Sequence, residues 1–251
     1  MKVGVFTVGL PDLTPEDAVR EIEECGYDGV EWRVTHVPDG VKGEEPSFWG
    51  NNLCTLEPTI EEAMRFARAA GAPQIRVGVG SPGGSAYAEL FDAARRFLAQ
   101  VEELAGEHGV KAVVEIHHGT ICPSASLTHR LVSGLDPGLV GVIFDPGNMA
   151  REGFEDYRIG VELLGPYLAH VHLKNAAFEP PEGDGVWQPR WTPLEDGVVD
   201  FGALFEVLDT SGYSGWFVIE DFSAARPTRE ALEHNLKFIR SFEKSAPPEN
   251  G

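Results

Sequence analysis

Cysteine is scarce in this sequence, which places only Cys25, Cys54 and Cys122 among 251 residues. Their odd number and wide spacing match neither a disulfide framework nor a CxxC metal-binding knuckle. Each cysteine is therefore predicted to fill space in the core rather than to act as a nucleophile. A reducing cytoplasm is the expected location.

Positive charge and long apolar runs are also lacking. The 20 Lys and Arg residues stand against 40 Asp and Glu residues, which gives a net charge of −20. Nucleic acids and anionic membrane surfaces both attract clustered basic residues, so neither partner is expected. No uncharged apolar run reaches the roughly 18 residues of a transmembrane helix. The opening segment MKVGVFTVGL is predicted to be a first strand rather than a targeting segment.

Two glycine motifs are missing as well. No GxGxxG follows the first strand, which weakens the case for a doubly wound open sheet, and no glycine-rich phosphate cradle is visible, which disfavours a phosphorylated substrate. What the chain contains instead is an alternation of strand and helix patterns, typical of a parallel sheet with helical crossovers. Eight strands are predicted, at 2–8, 29–33, 52–56, 74–79, 110–117, 139–145, 168–174 and 215–220.

Helical patterns separate these strands. They cover 14–25, 59–70, 86–108, 124–133, 154–164, 202–211 and 228–244. Residues 175–199 are predicted to form a long loop that carries Trp187 and Trp191. Eight such units close most naturally into a single (β/α)8 TIM barrel, an α/β fold, with the open sheet as the alternative. The barrel is expected to span residues 1–245, followed by a flexible tail at 246–251.

Ionisable side chains end four consecutive predicted strands, at Glu115, Asp145, His172 and Glu220. The carboxyl ends of barrel strands gather at one face, so these four side chains are expected to converge. A single carboxylate at such a position is more often a helix N-cap or a solvated loop residue, but four converging charged groups at apolar strands need a cation or a set of polar partners. They suit one divalent ion, Mn²⁺ or Mg²⁺ first, with Zn²⁺ or Co²⁺ as alternatives.

Further side chains are predicted to reach the same lumen and to bind the substrate. Strand alternation places His117 on the face of Glu115 and Lys174 on the face of His172. The other candidates are Glu31 and Arg33 on the second strand, Arg76 on the fourth, and Arg190 in the long loop. Packing competes with a ligand role for the two tryptophans, and an ion pair competes with it for Arg33.

Two more histidines receive structural predictions. His170 is expected to lie one layer deeper than His172, as a hydrogen-bonded core residue. His118 is expected to point outward, toward the helices, because it follows His117. Neither is predicted to contact the substrate.

The segments VEIHHGT, FDPGN, HVHLKN and GYSGWFVIE resemble the xylose-isomerase-like barrel superfamily. Its members are sugar and sugar-phosphate isomerases and epimerases, inosose dehydratases and type IV AP endonucleases. The resemblance extends from the first strand and the GYDGVEWR segment to the last helix. It implies that Glu115, Asp145, His172 and Glu220 bind one divalent metal, and that Glu115 and Glu220 also act as acid and base.

The chain departs from these relatives at two positions. Asn148 lies where many ketose epimerases have histidine, and Asn175 lies where aspartate is common. Asn148 is expected to hydrogen-bond a substrate hydroxyl, but it cannot titrate. The early strand ends carry Glu31 and Glu57 rather than the extra histidines of the three-metal endonucleases, which argues against that branch.

These observations predict a metal-dependent sugar or polyol isomerase or epimerase that removes a proton next to a carbonyl through a metal-stabilised enediolate. Because EIHHGT is similar to a segment of inosose dehydratases, a lyase acting on a keto-polyol is the alternative, with Lys174 or His117 as the acid. A barrel that binds metal or ligand without turnover is a third hypothesis. The expected partner is a small sugar or polyol, and the chain's relatives leave a homo-oligomer open.

Overall fold

A computed structural model of the protein describes residues 1–32, 59–181 and 183–243. Its main sheet holds seven parallel strands, in the spatial order β2-β1-β9-β6-β5-β4-β3. These are β1 (Lys2–Phe6), β2 (Gly29–Glu31), β3 (Gln74–Val77), β4 (Lys111–Glu115), β5 (Val140–Phe144), β6 (Leu168–Leu173) and β9 (Trp216–Ile219). A separate antiparallel hairpin contains β7 (Asn175–Glu179) and β8 (Gln188–Thr192).

The strand order is that of a barrel rather than of an open sheet. The first strand, β1, pairs in parallel with the last strand, β9, so the beginning and the end of the chain meet in the sheet. The two edges of the described sheet, β2 and β3, precede and follow residues 33–58 along the chain. The predicted strand 52–56 and Arg33 lie outside the described residues. The prediction of a (β/α)8 barrel is confirmed.

Helices cover the outer face of the sheet. They are α1 (Pro15–Cys25), α2 (Ile60–Ala69), α3 (Tyr87–His108), α4 (Ala125–Val132), α5 (Pro146–Arg151), α6 (Tyr157–Leu164), α7 (Phe201–Thr210) and α8 (Thr228–Arg240). Local sequence explains their starts: the Thr14 hydroxyl caps α1 ahead of Pro15, and Thr59 forms a reciprocal capping box with Glu62 at α2. Among the described helices, none has the length and apolar character needed to cross a membrane.

Strands β4 and β5 are buried on both faces, apart from the first residue of β4. Two-sided burial is what helices outside and side chains inside a parallel barrel impose. The three predicted core cysteines can be compared with this core in part. Cys122 is buried, and burial raises the pKa of its thiol to about 12, while Cys25 is partly buried. Both fit the predicted packing role, and Cys54 lies outside the described residues.

The sequence pattern misses two elements. Residues 175–199, predicted to be a loop, contain the β7–β8 hairpin, and α5 follows Asp145 where no helix is predicted. The hairpin is held at its base by Asn175, whose amide donates to Leu194 O at 2.8 Å and accepts from Val199 N at 2.9 Å. Its strands contain proline, glutamate and arginine, so they lack the β-branched and aromatic enrichment by which strands are detected.

Candidate metal centre

Four side chains converge at the carboxyl ends of the barrel strands, as the sequence predicts. Glu115 is the last residue of β4, Asp145 follows β5, His172 lies in β6 and Glu220 follows β9. Each offers one ligand atom, and the four atoms lie within 4.8 Å of one another. The exposed fraction of these residues does not exceed 3%. Water therefore cannot solvate the three carboxylates, and they depend on neighbouring cations or donors.

Each of the four side chains directs one atom to a common centre and is anchored through another. Nδ1 of His172 faces the carboxylates, at 3.1 Å from Glu115 Oε1 and 3.4 Å from Glu220 Oε1, while Nε2 lies 3.1 Å from Glu31. Glu115 Oε2 is held by Arg76 at 2.6 Å. Because Nε2 donates to Glu31, Nδ1 is the nitrogen that can bind a cation once its own proton is released.

The other two carboxylates follow the same pattern. Asp145 Oδ1 accepts the backbone N–H of Asn148 at 2.8 Å and so caps α5, while Oδ2 lies 3.7 Å from His172 Nδ1. Glu220 Oε2 is bound by the Lys174 ammonium at 2.5 Å, which leaves Oε1 toward His172. The N-cap interpretation of Asp145 and its ligand role are therefore compatible, because they use different oxygens.

The donor set fits a divalent ion. Ligand atoms bound at about 2.1 Å are separated by roughly 3.0–3.4 Å around an octahedral or tetrahedral centre. The separations of 3.1, 3.4 and 3.7 Å from His172 Nδ1 to Glu115, Glu220 and Asp145 lie close to that range. Three oxygens and one imidazole nitrogen would hold such an ion, with room for Mn²⁺, Mg²⁺ or Zn²⁺ by ligand type.

Protons and the Lys174 ammonium carry the positive charge that this cluster requires. Burial lowers the pKa of His172, but Glu220 and Glu31 raise it well above its usual value. Burial raises the pKa of Asp145, and although Lys174 opposes this, the net direction is upward. Burial lowers the pKa of Lys174 and the surrounding carboxylates raise it further than that. The same negative potential would attract a divalent cation, whose binding releases protons.

A second layer lies below the centre. His170 Nε2 and His172 Nε2 both lie 3.1 Å from Glu31 Oε2, and all three residues have an exposed fraction of 0%. The prediction that His170 is a deeper hydrogen-bonded core histidine is confirmed. Glu31 orients the imidazole of His172 from below and does not line the pocket formed by the described residues. The geometry therefore gives Glu31 a positioning role and does not support its predicted contact with substrate.

A pocket of about 260 Å³ opens above the centre. Its lining consists of Phe6, Val8, Arg76, His117, His118, Arg151, Lys174, Trp191, Glu220 and Phe222. A larger groove of about 830 Å³ lies at the opposite end, where β1 and β9 begin. Active sites of such barrels lie at the carboxyl ends of the strands, so the smaller pocket is the candidate site.

The two neighbouring histidines of EIHHGT stack on each other at the pocket, with ring centroids 4.5 Å apart. His117 Nδ1 lies 2.6 Å from the backbone oxygen of His118, so Nδ1 carries a proton and Nε2 is the nitrogen left to meet a ligand. The prediction that His118 points outward is wrong. Strand β4 ends at Glu115, and the turn at Gly119, with φ +70°, returns His118 to the pocket.

Asn148 links these histidines to the metal centre. Its Nδ2 faces three acceptors, Glu115 Oε1 at 3.1 Å, Asp145 Oδ2 at 2.9 Å and Ile116 O at 3.1 Å, which fixes the orientation of the amide. Asn148 Oδ1 must then accept the proton of His118 Nδ1, at 2.7 Å. The amide is thus fully engaged within the protein and completely buried, so the geometry does not support a bond to a substrate hydroxyl.

The long segment after β6 contributes one of its two tryptophans. Trp191 lines the pocket, whereas Trp187 has an exposed fraction of 58%. Arg190 precedes Trp191 on β8, so strand alternation directs it to the other face, where it pairs with Glu179 at 2.7 Å. Arg190 is not among the pocket residues, and its predicted substrate contact has no support. Arg33 and Glu57 lie outside the described residues.

Sequence reasoning misses Arg151, which lines the pocket from the end of α5. Only knowledge of α5 could have predicted this position. The helix begins at the cap formed by Asp145 and is six residues long, which brings its last side chain back to the same face of the barrel. Arg76, noted as a lumen candidate, does reach the site, as the partner of Glu115.

The fold and the site together define a (β/α)8 barrel with a carboxylate–histidine group at the carboxyl ends of its strands that could hold a cation. The chain belongs to the xylose isomerase-like TIM barrel family, whose model matches residues 59–242. This assignment confirms the resemblance predicted from the strand-end motifs.

Similar proteins are known by sequence and by structure. The chain is 27% identical over 286 aligned residues to the inosose dehydratase of Clostridium botulinum (strain Alaska E43 / Type E3), covering 93% of this chain and 94% of that protein. It is 32% identical over 150 residues to the inosose dehydratase of Geobacillus thermodenitrificans (strain NG80-2), covering 54% of this chain and only about half, 49%, of that relative. The crystal structure of IOLI protein with a bound zinc atom superposes with a TM-score of 0.77 at 16% identity, over 96% of this chain and 98% of that one.

Proposed function

We propose that this protein is a sugar-modifying enzyme that uses one divalent metal ion to remove water from a small keto-polyol. The full-length relative named inosose dehydratase supports this class of substrate and reaction. A lyase was the alternative that the sequence predicted, and the geometry of the site favours it over an epimerase.

The observation that carries the proposal is the difference between the two glutamates. Glu220 lines the pocket, whereas Glu115 is not among the lining residues. Glu115 Oε2 is held by Arg76 at 2.6 Å, and Oε1 lies 3.1 Å from both Asn148 and His172. Burial raises the pKa of Glu115, but Arg76 and Lys174 lower it well below its usual value. Such a carboxylate is a poor base. Burial also raises the pKa of Glu220, but His172 and Lys174 lower it to about 2, and epimerisation by two glutamates on opposite faces requires two bases.

The pocket instead contains one candidate base, the imidazole of His117, and one candidate acid, the ammonium of Lys174. In the neutral imidazole of His117, whose Nδ1 donates to the His118 carbonyl, the lone pair lies on Nε2, which is placed to remove the proton from the carbon next to the carbonyl. The Lys174 ammonium, held by Glu220 and Asp145, is placed to protonate the departing hydroxyl. The ion would supply Lewis-acid stabilisation of the negative charge on the carbonyl oxygen.

The steps balance without an oxidant or a reductant. The C–H bond breaks and its proton passes to His117, the β C–O bond breaks, and the hydroxyl leaves as water with a proton from Lys174. The electron pair of the C–H bond becomes the new C=C bond. If the deprotonated carbon bears a hydroxyl, the product is an enol that tautomerises to a 1,2-diketone.

The test is an incubation of Mn²⁺-loaded protein with an inosose in D₂O. We expect loss of water, seen as the absorbance of the 1,2-diketone's conjugated enol form, and a decrease of kcat/KM by about 10²–10⁴-fold in His117→Asn. His108→Asn, at the end of α3, is the matched control with unchanged activity. Full activity in His117→Asn would remove His117 from the reaction.

Aldose–ketose isomerisation is the second candidate, and one observation favours it. Glu220 faces the pocket alone, and a single base can move a proton between two neighbouring carbons. In that case D₂O would introduce deuterium into the substrate carbon without loss of water. The nature of the ion, Mn²⁺ or Mg²⁺ before Zn²⁺ or Co²⁺, is part of the same proposal and is read from metal analysis of the purified protein.

A further inference from the structure

Arg151 is the last residue of α5 and reaches the mouth of the pocket. Its guanidinium carbon lies 4.5 Å from the ring centroid of Trp191, which comes from the β7–β8 hairpin. The helix that begins at the cap formed by Asp145 therefore ends at a cation above the same centre. Two separate elements, α5 and the hairpin, hold this arginine–indole pair in place.

Within the described ranges, the guanidinium of Arg151 has no carboxylate at ion-pairing distance, and its Nε is buried without a hydrogen-bond partner. The two other cations of the pocket are paired, Arg76 with Glu115 and Lys174 with Glu220 and Asp145. This is unusual in a chain in which 40 acidic residues outnumber 20 basic ones. A half-buried guanidinium with free donors is a site for an anion.

We propose that Arg151, stacked on Trp191, binds a carboxylate of the substrate, so that the preferred keto-polyol carries an acid group. The inference deepens the proposed function and rests on it for the use of this pocket. A planar guanidinium presents two parallel N–H groups that match a carboxylate. The pocket of about 260 Å³ suits a ligand of one small ring, and the sequence offers no glycine-rich cradle for a phosphate.

The position of the indole supports this orientation of the ligand. The Trp191 ring lies 4.5 Å from the Arg151 guanidinium carbon and 5.3 Å from Lys174 Nζ. A ligand that packs on this ring can therefore reach Arg151 with its carboxylate while its carbonyl approaches the Lys174–Glu220 end. His118, with its ring centroid 5.6 Å from that of Trp191, closes the space between the two ends.

Binding of one charged and one uncharged substrate analogue tests the proposal without catalysis. Quinate, a polyhydroxylated cyclohexanecarboxylate, and its primary amide are titrated calorimetrically into the full chain, both metal-free and loaded with Mn²⁺. We expect the wild-type protein to bind quinate more tightly than the amide. Arg151→Met should weaken the affinity for quinate by about 10- to 100-fold and change the affinity for the amide by less than about twofold. Arg151→Lys should lie between the two, because it keeps the charge and loses the two-point geometry.

Arg130→Met is the matched control, because its guanidinium also stacks on an aromatic ring, at 4.8 Å from Phe91, outside the pocket. It should change neither affinity. Equal affinities of wild-type protein for quinate and its amide, or an equal loss of both in Arg151→Met, would overturn the proposal. If Arg151→Met does not fold, Arg151→Lys decides by the same criterion. Failure of the dehydration assay leaves these binding results unaffected, so the two proposals are tested separately.

Discussion

The two layers of polar groups at the strand ends differ in how fully their atoms are used. In the lower layer, Glu31, His170 and His172 bond to one another at 3.1–3.2 Å and are completely buried. At the mouth, Arg151 has no acidic partner within the described ranges, and the bond from His117 Nδ1 to the His118 carbonyl leaves Nε2 to meet a ligand. The comparison indicates that the lower layer orients the ligands of an ion, whereas the mouth is built to meet a substrate.

Removal of the residue that joins the two layers should have the largest effect. His172→Ala removes a ligand of the candidate ion and the imidazole that links Glu31 to Glu115. We therefore expect the affinity for Mn²⁺ to decrease by more than about 100-fold. Isothermal titration with Mn²⁺ measures this, and circular dichroism checks the fold. His129→Ala, in α4 and outside the pocket, should bind Mn²⁺ like the wild type. An unchanged affinity for Mn²⁺ in His172→Ala would show that neither layer takes part in metal binding.

A change confined to the lower layer should have a smaller effect on the same quantity. Glu31→Gln keeps the shape and one acceptor oxygen but removes the charge that orients His172, so we expect about a 10- to 100-fold loss of Mn²⁺ affinity. Glu89→Gln, exposed on α3, is the control. If Glu31→Gln binds Mn²⁺ as tightly as the wild type, the lower layer has no positioning role.

The close approach of Gly147 in α5 to Lys174 after β6 can be tested through the stability of the protein. A Cβ on Gly147 would lie 2.4 Å from Lys174 Cγ and 2.7 Å from the Lys174 backbone oxygen. We expect Gly147→Ala to lower the free energy of unfolding by about 1–3 kcal/mol, measured by urea denaturation. Gly106→Ala is the matched control, because its Cβ would meet only Leu139 Cδ1 at 3.6 Å and alanine favours a helix. Equal stabilities of the two variants would contradict the close contact.

The smallest expected effect concerns protonation at the mouth. Burial lowers the pKa of His118 from 6.5 to about 4, although the hydrogen bond to Asn148 opposes the shift. Between pH 6.5 and about 4, the His118 side chain of the unfolded chain binds a proton that the folded protein does not. The free energy of unfolding therefore decreases as the pH falls through this range. NMR titration should show neutral His118 at pH 6, and His118→Gln should flatten the pH dependence of unfolding. A His118 pKa near 6.5 would contradict this.

Much of the site could be predicted because strand ends obey topology. Glu115, Asp145, His172 and Glu220 each follow an apolar strand, and parallel strands bring their carboxyl ends together whatever the loops do. Extending the period-two alternation just past the ends of β4 and β6 also predicted that His117 and Lys174 face the lumen, and both line the pocket. The alternation is a property of the strand alone, so these predictions needed no knowledge of tertiary contacts.

The remaining residues depend on structure beyond the strands. His118 lies after the end of β4, where alternation no longer applies, and Arg151 reaches the pocket only because α5 starts at a capping aspartate. The hairpin that presents Trp191 and turns Arg190 away is held by side-chain bonds of Asn175, which no local pattern predicts. Asn148 could be singled out by motif, but only its four neighbours reveal that it is fully engaged.

The central claim is that one divalent ion is held jointly by Glu115, Asp145, His172 and Glu220. Anomalous diffraction from a crystal soaked in Mn²⁺ tests it most directly. We predict a single peak within about 2.0–2.4 Å of one atom of each side chain, with Arg76 retained on Glu115 Oε2 and Lys174 on Glu220 Oε2. A map without a peak between these side chains, or with the ion bound elsewhere, would contradict the account.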